Sequence, residues 1–89
     1  MHAGPEALTK LQELIRQLRG IPQVREKSPG TFHLLGQAFV HFHETDGKLH
    51  ADLRKASGTG FDRYAVDTSP EQRKLIDEAK RRAAKITDE

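Results

Sequence analysis

The chain has 89 residues, of which 35% are hydrophobic and 31% charged, and its formal net charge is only +2. This length suits one domain with a modest core, which we take as residues 1–89 with a flexible tail at 1–4. The absence of cysteine excludes disulfides and thiolate metal sites, and no apolar run approaches the length of a membrane span or a signal peptide. We therefore expect a cytoplasmic protein that does not contact membranes, and the small net charge argues against nucleic acid as a partner.

The first predicted element is an amphipathic helix that begins at Pro5, a residue suited to the first helical turn. Gly20 is expected to end this helix in a left-handed conformation. Its apolar residues recur at helical spacing and form a stripe that would cover a sheet: Leu8, Leu11, Ile15 and Leu18.

Two short strands are predicted next, at residues 23–27 and 31–35. The apolar side chains of the second strand must lie on the same face as those of the following strand. This requires a connection of odd length between these two strands, or a bulge near Gly36. A one-residue slip would move every side chain to the wrong face. In this register His33 is expected to lie beside Phe39, on the polar face of the sheet.

Residues 39–53 predict a β-hairpin whose two-residue loop is Asp46-Gly47, a pair suited to a type I′ turn. This loop aligns His43 with His50 and His41 with Asp52, and directly opposed residues share a face. One face of the hairpin is therefore expected to carry three imidazoles and a carboxylate, and the other face is apolar.

The chain ends with a polar loop at 54–60, a strand at 61–66 and a helix. Ser69 is the expected N-cap of this helix, and Gln72 completes a capping box around Pro70. The basic run at 80–82 is expected to form a solvated helix face. The whole pattern predicts an α+β fold with an N-terminal helix, a three- to five-stranded antiparallel β-meander and a C-terminal helix, both helices being packed on one sheet face.

The polar face of the hairpin has the composition of a metal site. Side chains on directly opposed strand positions are about 5 Å apart at Cβ, close enough for His41, His43, His50 and Asp52 to converge on Zn²⁺. Two histidines and one carboxylate also suit Fe²⁺. The wider set of ligand-binding candidates adds His33 and Phe39. Two other interpretations stay open: an acid–base site in which Asp52 orients His41, and a plain solvated face of a half-buried sheet.

Three segments resemble the small luciferase-type domain that fungal luciferases share with many uncharacterised bacterial proteins. They are Leu-Ile-Arg-Gln-Leu-Arg-Gly-Ile-Pro-Gln-Val at 14–24, His41-x-His43, and Ala51-Asp52. The resemblance covers about the middle half of the chain, implies a compact α+β fold and marks His41, His43 and Asp52 as family-like positions. The chain departs from the family at residues 61–64, Phe-Asp-Arg-Tyr, where the family has a tryptophan strand. The resemblance therefore does not imply light emission or oxygen chemistry.

The sequence thus predicts a small soluble domain whose His/Asp cluster binds a metal or a small ligand. The alternative is a non-catalytic protein-interaction or homodimerisation module, with Phe39 or Phe61 as an exposed anchor and the histidines merely solvated. The choice between monomer and homodimer, and whether the domain is an enzyme, stay open at this point.

Overall fold

A computed structural model describes residues 4–88, and the predicted tail at 1–4 lies outside this range apart from Gly4. The predicted α+β fold is confirmed. Helices precede and follow a five-stranded antiparallel sheet. The elements are α1 (Pro5–Lys10), α2 (Gln12–Arg19), β1 (Val24–Ser28), β2 (Thr31–Leu34), β3 (Gln37–Thr45), β4 (Lys48–Arg54), β5 (Phe61–Ala65) and α3 (Ser69–Thr87).

The five strands lie in the order of the chain, each antiparallel to the next. Alternate residues of β4 are buried, as expected when one face of a sheet packs on a core. The core between the sheet and the helices includes three phenylalanines, Phe32, Phe39 and Phe42, that are at most 1% exposed. Within residues 4–88, none of the helices combines the length and the apolar character needed to cross a membrane.

The predicted N-terminal helix consists of two segments, α1 and α2, that meet at the fully buried Leu11. The expectation that Gly20 is left-handed is wrong, because its φ is −83°. Tight turns continue past it: Ile21 N donates to Leu18 O and Val24 N donates to Ile21 O, each at 3.2 Å. The left-handed residue in this connection is Gln23, with φ of 70°, directly before β1.

The connection from β2 to β3 is a two-residue turn, Leu35-Gly36, in which both residues have positive φ. The register irregularity lies further on, at Phe39: Val40 pairs with Phe32 and Ala38 with His33, so Phe39 has no partner in β2. A bulge of this kind interrupts the regular alternation of side chains between the two faces of the sheet, so the extra residue need not lie on the face that the alternation predicts. The prediction that Phe39 lies on the polar face is therefore wrong, because Phe39 is fully buried in the core.

The basic run at 80–82 is only partly solvated, which corrects the expectation of a solvated helix face. Arg81 is exposed and pairs with Glu78, whereas Arg82 is 8% exposed and lies among the residues of the sheet. The salt bridge between Arg82 and Glu78, with Nε 2.8 Å from Oε2, joins residues four apart on the helix. The helical spacing alone does not reveal that α3 docks with this arginine facing inward.

The N-cap of α3 is Thr68, one residue before the predicted Ser69. The Thr68 hydroxyl accepts a hydrogen bond from Glu71 N at 3.3 Å. The Glu71 carboxylate accepts in return from Thr68 N at 2.9 Å and from Asp67 N at 3.0 Å. Gln72, the predicted partner in the box, instead donates from its side chain to Val66 O at 2.9 Å.

Replacing Thr68 by alanine should lower the free energy of unfolding by about 1 kcal/mol, because the first turn of α3 loses its side-chain acceptor. Ser69→Ala is the matched control and should change the stability by less than about 0.5 kcal/mol. Urea denaturation followed by circular dichroism measures both values. Equal losses in the two variants would contradict the assignment of Thr68 as the cap.

Candidate functional site

The β3–β4 hairpin has the predicted turn and register. Asp46 and Gly47 have φ of 53° and 76°, as a type I′ turn requires. His43 lies opposite His50 and His41 opposite Asp52, which confirms the predicted pairing. All four side chains point away from the helices, since the residues between them on each strand are buried. We call the sheet surface formed by His33, His41, His43, His50 and Asp52 the histidine face.

Three side chains of the histidine face bring their ligand atoms together. His41 Nδ1 lies 3.1 Å from His43 Nε2, and His43 Nε2 lies 3.1 Å from Asp52 Oδ2. One ligand atom from each of the three residues lies within 4.8 Å of the other two. We call His41, His43 and Asp52 the His/Asp triad. Its members are partly buried, so its atoms are held by the sheet and remain reachable from outside.

Asp52 is held by Arg63, a residue that no local pattern in the sequence marks as part of the site. Arg63 of β5 lies opposite Asp52 and donates Nε to Oδ1 at 3.0 Å and Nη2 to Oδ2 at 3.2 Å. Burial favours a higher pKa for Asp52, but the hydrogen bond and charge of Arg63, with smaller contributions from His43 and His41, outweigh it and lower the pKa. Asp52 is therefore a carboxylate at neutral pH.

His50, predicted as a fourth metal ligand, does not join the triad. It lies opposite His43 in the register, but its nitrogens are outside the group whose ligand atoms are within 4.8 Å of one another. His50 Nδ1 is buried without a hydrogen-bond partner within residues 4–88. A proton there would leave a donor unsatisfied, so the neutral ring is expected to carry its proton on Nε2.

Phe61 borders the triad on β5. Its ring centroid lies 5.0 Å from that of His41, and the guanidinium carbon of Arg54 lies 5.0 Å from the same phenyl centroid. The residue is 36% exposed. Phe61 thus shields one side of His41 while its outer edge stays in contact with solvent.

These features define the chain as an α+β domain with an open antiparallel sheet, whose histidine face carries a His/His/Asp cluster opposite the helices. Comparisons with protein-family models, curated proteins and solved structures found no significant match to the chain. The resemblance to the luciferase-type domain therefore stays a prediction.

Proposed function

We propose that this domain binds one divalent transition-metal ion through His41, His43 and Asp52, with Zn²⁺ as the first candidate. The observation that carries the proposal is the convergence of the three ligand atoms within 4.8 Å. Around a tetrahedral zinc ion with bonds of about 2.0–2.1 Å, neighbouring ligand atoms are about 3.3 Å apart. The two contacts of 3.1 Å in the triad are close to that separation.

The backbone prepares this arrangement before any ion binds. His41 and His43 are two residues apart on β3, so both rings leave the same side of the strand. Asp52 is placed across from them by the hydrogen-bonded register of β4. A metal would then need side-chain rotations and no change in the fold, which lowers the cost of assembling the site.

The carboxylate of Asp52 also suits a cation. Asp52 is ionised at neutral pH and supplies the negative charge, while Arg63 donates hydrogen bonds to both of its oxygens and orients the carboxylate. His43 Nε2 lies 3.1 Å from both His41 Nδ1 and Asp52 Oδ2, so a proton among these atoms joins the three side chains when no metal is present. A metal ion would take the place of that proton, because His41 Nδ1 and His43 Nε2 must both be unprotonated to act as ligands and each neutral ring can carry its proton on the other nitrogen.

Three protein ligands leave a coordination position for water or a substrate, as in catalytic zinc sites. The same set of two histidines and one carboxylate is also the ligand set of non-haem Fe²⁺ sites. Fe²⁺ is therefore the second ion to test. The identity of the bound ion would determine which class of reaction the site could support.

The test is a titration of Zn²⁺, and separately of anaerobic Fe²⁺, into protein that has been treated with a chelator. Calorimetry and two-dimensional NMR should give saturable binding of one ion, with shifts centred on the triad. His41→Ala, His43→Ala and Asp52→Asn should each weaken binding by about 100-fold or more, because each removes a ligand.

His50→Ala is the matched control, since it removes an imidazole from the same face that lies outside the triad. It should change the metal affinity by less than about threefold. The proposal is wrong if no saturable binding occurs below about 1 mM metal. Physiological structural sites bind their metal at far lower concentrations. It is also wrong if His50→Ala weakens binding as much as the triad variants do.

A further inference from the structure

A second cluster of polar residues lies at the start of β1, apart from the His/Asp triad. It surrounds a cavity of about 240 Å³ between β1 and the β2–β3 turn. None of its lining residues belongs to the triad. We call this cavity the basic cleft; it is lined by Gln23, Arg25, Lys27, His33, Leu35 and Gly36.

The charge of the basic cleft is entirely positive, since no acidic residue is among the six that line it. Arg25 pairs with His33 in the β1–β2 register, and Lys27, which has no partner in β2 because the register shifts there, lines the same cleft. Two neighbouring cations repel each other, and a bound anion removes that repulsion. Cations on an edge strand such as β1 also discourage pairing with other chains, so charge alone does not define a binding site.

His33 is a further polar residue that lines this cleft. Its Nδ1 is buried and has no hydrogen-bond partner among residues 4–88. A proton on Nδ1 would be an unsatisfied buried donor, so the neutral ring is expected to carry its proton on Nε2. An N–H of His33 is therefore available in addition to the charged groups of Arg25 and Lys27.

Leu35 supplies an apolar side chain to the cleft, and its backbone conformation is energetically unfavourable. It is 61% exposed and has φ of 52°, a left-handed conformation that is rare for a bulky residue. Asparagine, aspartate or glycine would suit this turn position far better. Gln23, another lining residue of the cleft, also has a positive φ. Such departures from ordinary backbone preference concentrate at functional sites.

We propose that the basic cleft binds a small phosphate monoester whose organic group packs against Leu35. A phosphate monoester carries close to two negative charges at neutral pH, which matches the two full positive charges of Arg25 and Lys27, whereas a carboxylate matches only one. The planar Arg25 guanidinium binds two phosphate oxygens, and Lys27 and His33 donate to the others. This site is independent of the proposed metal ion.

The probes are phenyl phosphate, inorganic phosphate and benzoate, each titrated into ¹⁵N-labelled protein. Phenyl phosphate should give saturable shifts confined to the residues of the cleft and should bind about tenfold more tightly than inorganic phosphate, because it adds apolar contact with Leu35. Benzoate should bind more weakly than phenyl phosphate. Arg25→Ala and Lys27→Ala should each weaken phenyl phosphate binding by about 10- to 100-fold.

Two further variants separate this proposal from non-specific attraction. Lys80→Ala removes an exposed cation of α3 and should leave the affinity unchanged. Leu35→Asn suits the turn, preserves the fold and should abolish the advantage of phenyl phosphate over inorganic phosphate. The proposal is overturned if the shifts spread over the surface, if Lys80→Ala weakens binding as much as Lys27→Ala does, or if no probe saturates. Because no metal is added, these outcomes do not depend on the triad.

Discussion

Replacing Phe39 by alanine should lower the free energy of unfolding by about 3–5 kcal/mol, the range found when a buried aromatic side chain is deleted from a core. Phe39 is fully buried, and the bulge in β3 directs it toward the helices. Its removal leaves a cavity that the sheet cannot fill without changing its register. Urea denaturation followed by fluorescence or circular dichroism measures the effect.

Phe61→Ala is the matched control, since it deletes the same side chain from the opposite face of the sheet. Phe61 is 36% exposed, and its ring contacts His41 and Arg54. Its loss should cost about 1 kcal/mol or less. A larger effect at Phe61 than at Phe39 would mean that Phe39 lies on the solvent side, as the alternation of the sequence predicted.

Arg82 is the second position at which a single substitution should have a large effect. Its side chain joins α3 to the ends of β4 and β5 and is 10% exposed. Nη1 donates to Arg54 O at 3.0 Å, and Nη2 lies 2.9 Å from Asp62 Oδ2 and 3.1 Å from the Tyr64 hydroxyl. Nε donates to Glu78 at 2.8 Å. The guanidinium thus satisfies a carbonyl and two carboxylates where the helix meets the sheet.

Arg82→Ala should lower the free energy of unfolding by about 2–3 kcal/mol, because the Arg54 carbonyl and the partly buried Glu78 carboxylate lose their charged donor. Arg81→Ala is the matched control: Arg81 pairs with the same Glu78 but its side chain is 62% exposed, so its loss should cost less than about 1 kcal/mol.

A loss of this size at Arg82 is a large fraction of the total stability of a small domain, so milder variants are needed. Arg82→Lys keeps the charge but not the planar fork, and Tyr64→Phe removes one acceptor; both should give intermediate losses. Equal stability of the Arg81→Ala and Arg82→Ala proteins would refute the bridging role of Arg82.

The same network makes stability depend on pH. Hydrogen bonds from Arg81 and then Arg82 lower the pKa of Glu78 from 4.5 to about 2. A lowered carboxyl pKa stabilises the folded state above the unfolded value, and this contribution is lost as the pH falls from about 4.5 toward 2. The stability difference between the natural protein and Glu78→Gln should therefore be constant from pH 7 to 5 and shrink below pH 4. A difference that stays constant down to pH 3 would contradict the lowered pKa.

The hairpin and the His/Asp triad follow from local signals. The Asp46-Gly47 turn sets the register of β3 and β4, because a two-residue loop allows one alignment of the strands. Once that alignment is set, the period of two places His41, His43 and Asp52 on one face. The apolar stripe of α3 also follows from local sequence, since the spacing of its residues matches the period of the helix.

The pairing of Asp52 with its arginine depends on how β5 aligns with β4, and local sequence does not set this alignment. Arg63 is separated from β4 by the loop at 55–60, which allows several alignments of β5, and only the assembled sheet places Arg63 opposite Asp52. The side on which Phe39 lies depends on where the β3 bulge forms. Several bulge positions would satisfy the local alternation, and the packing of the core selects one of them.

Local sequence patterns therefore specify the order of the elements, the apolar stripes of the helices and the pairing of the central hairpin, because each depends on residues within a few positions of one another. Tertiary packing is needed for the burial of Phe39, the inward position of Arg82 and the salt bridge from Arg63 to Asp52. Each of these depends on contacts between residues distant in the chain. Such contacts form only where the helices and strands pack together, so no local pattern specifies them.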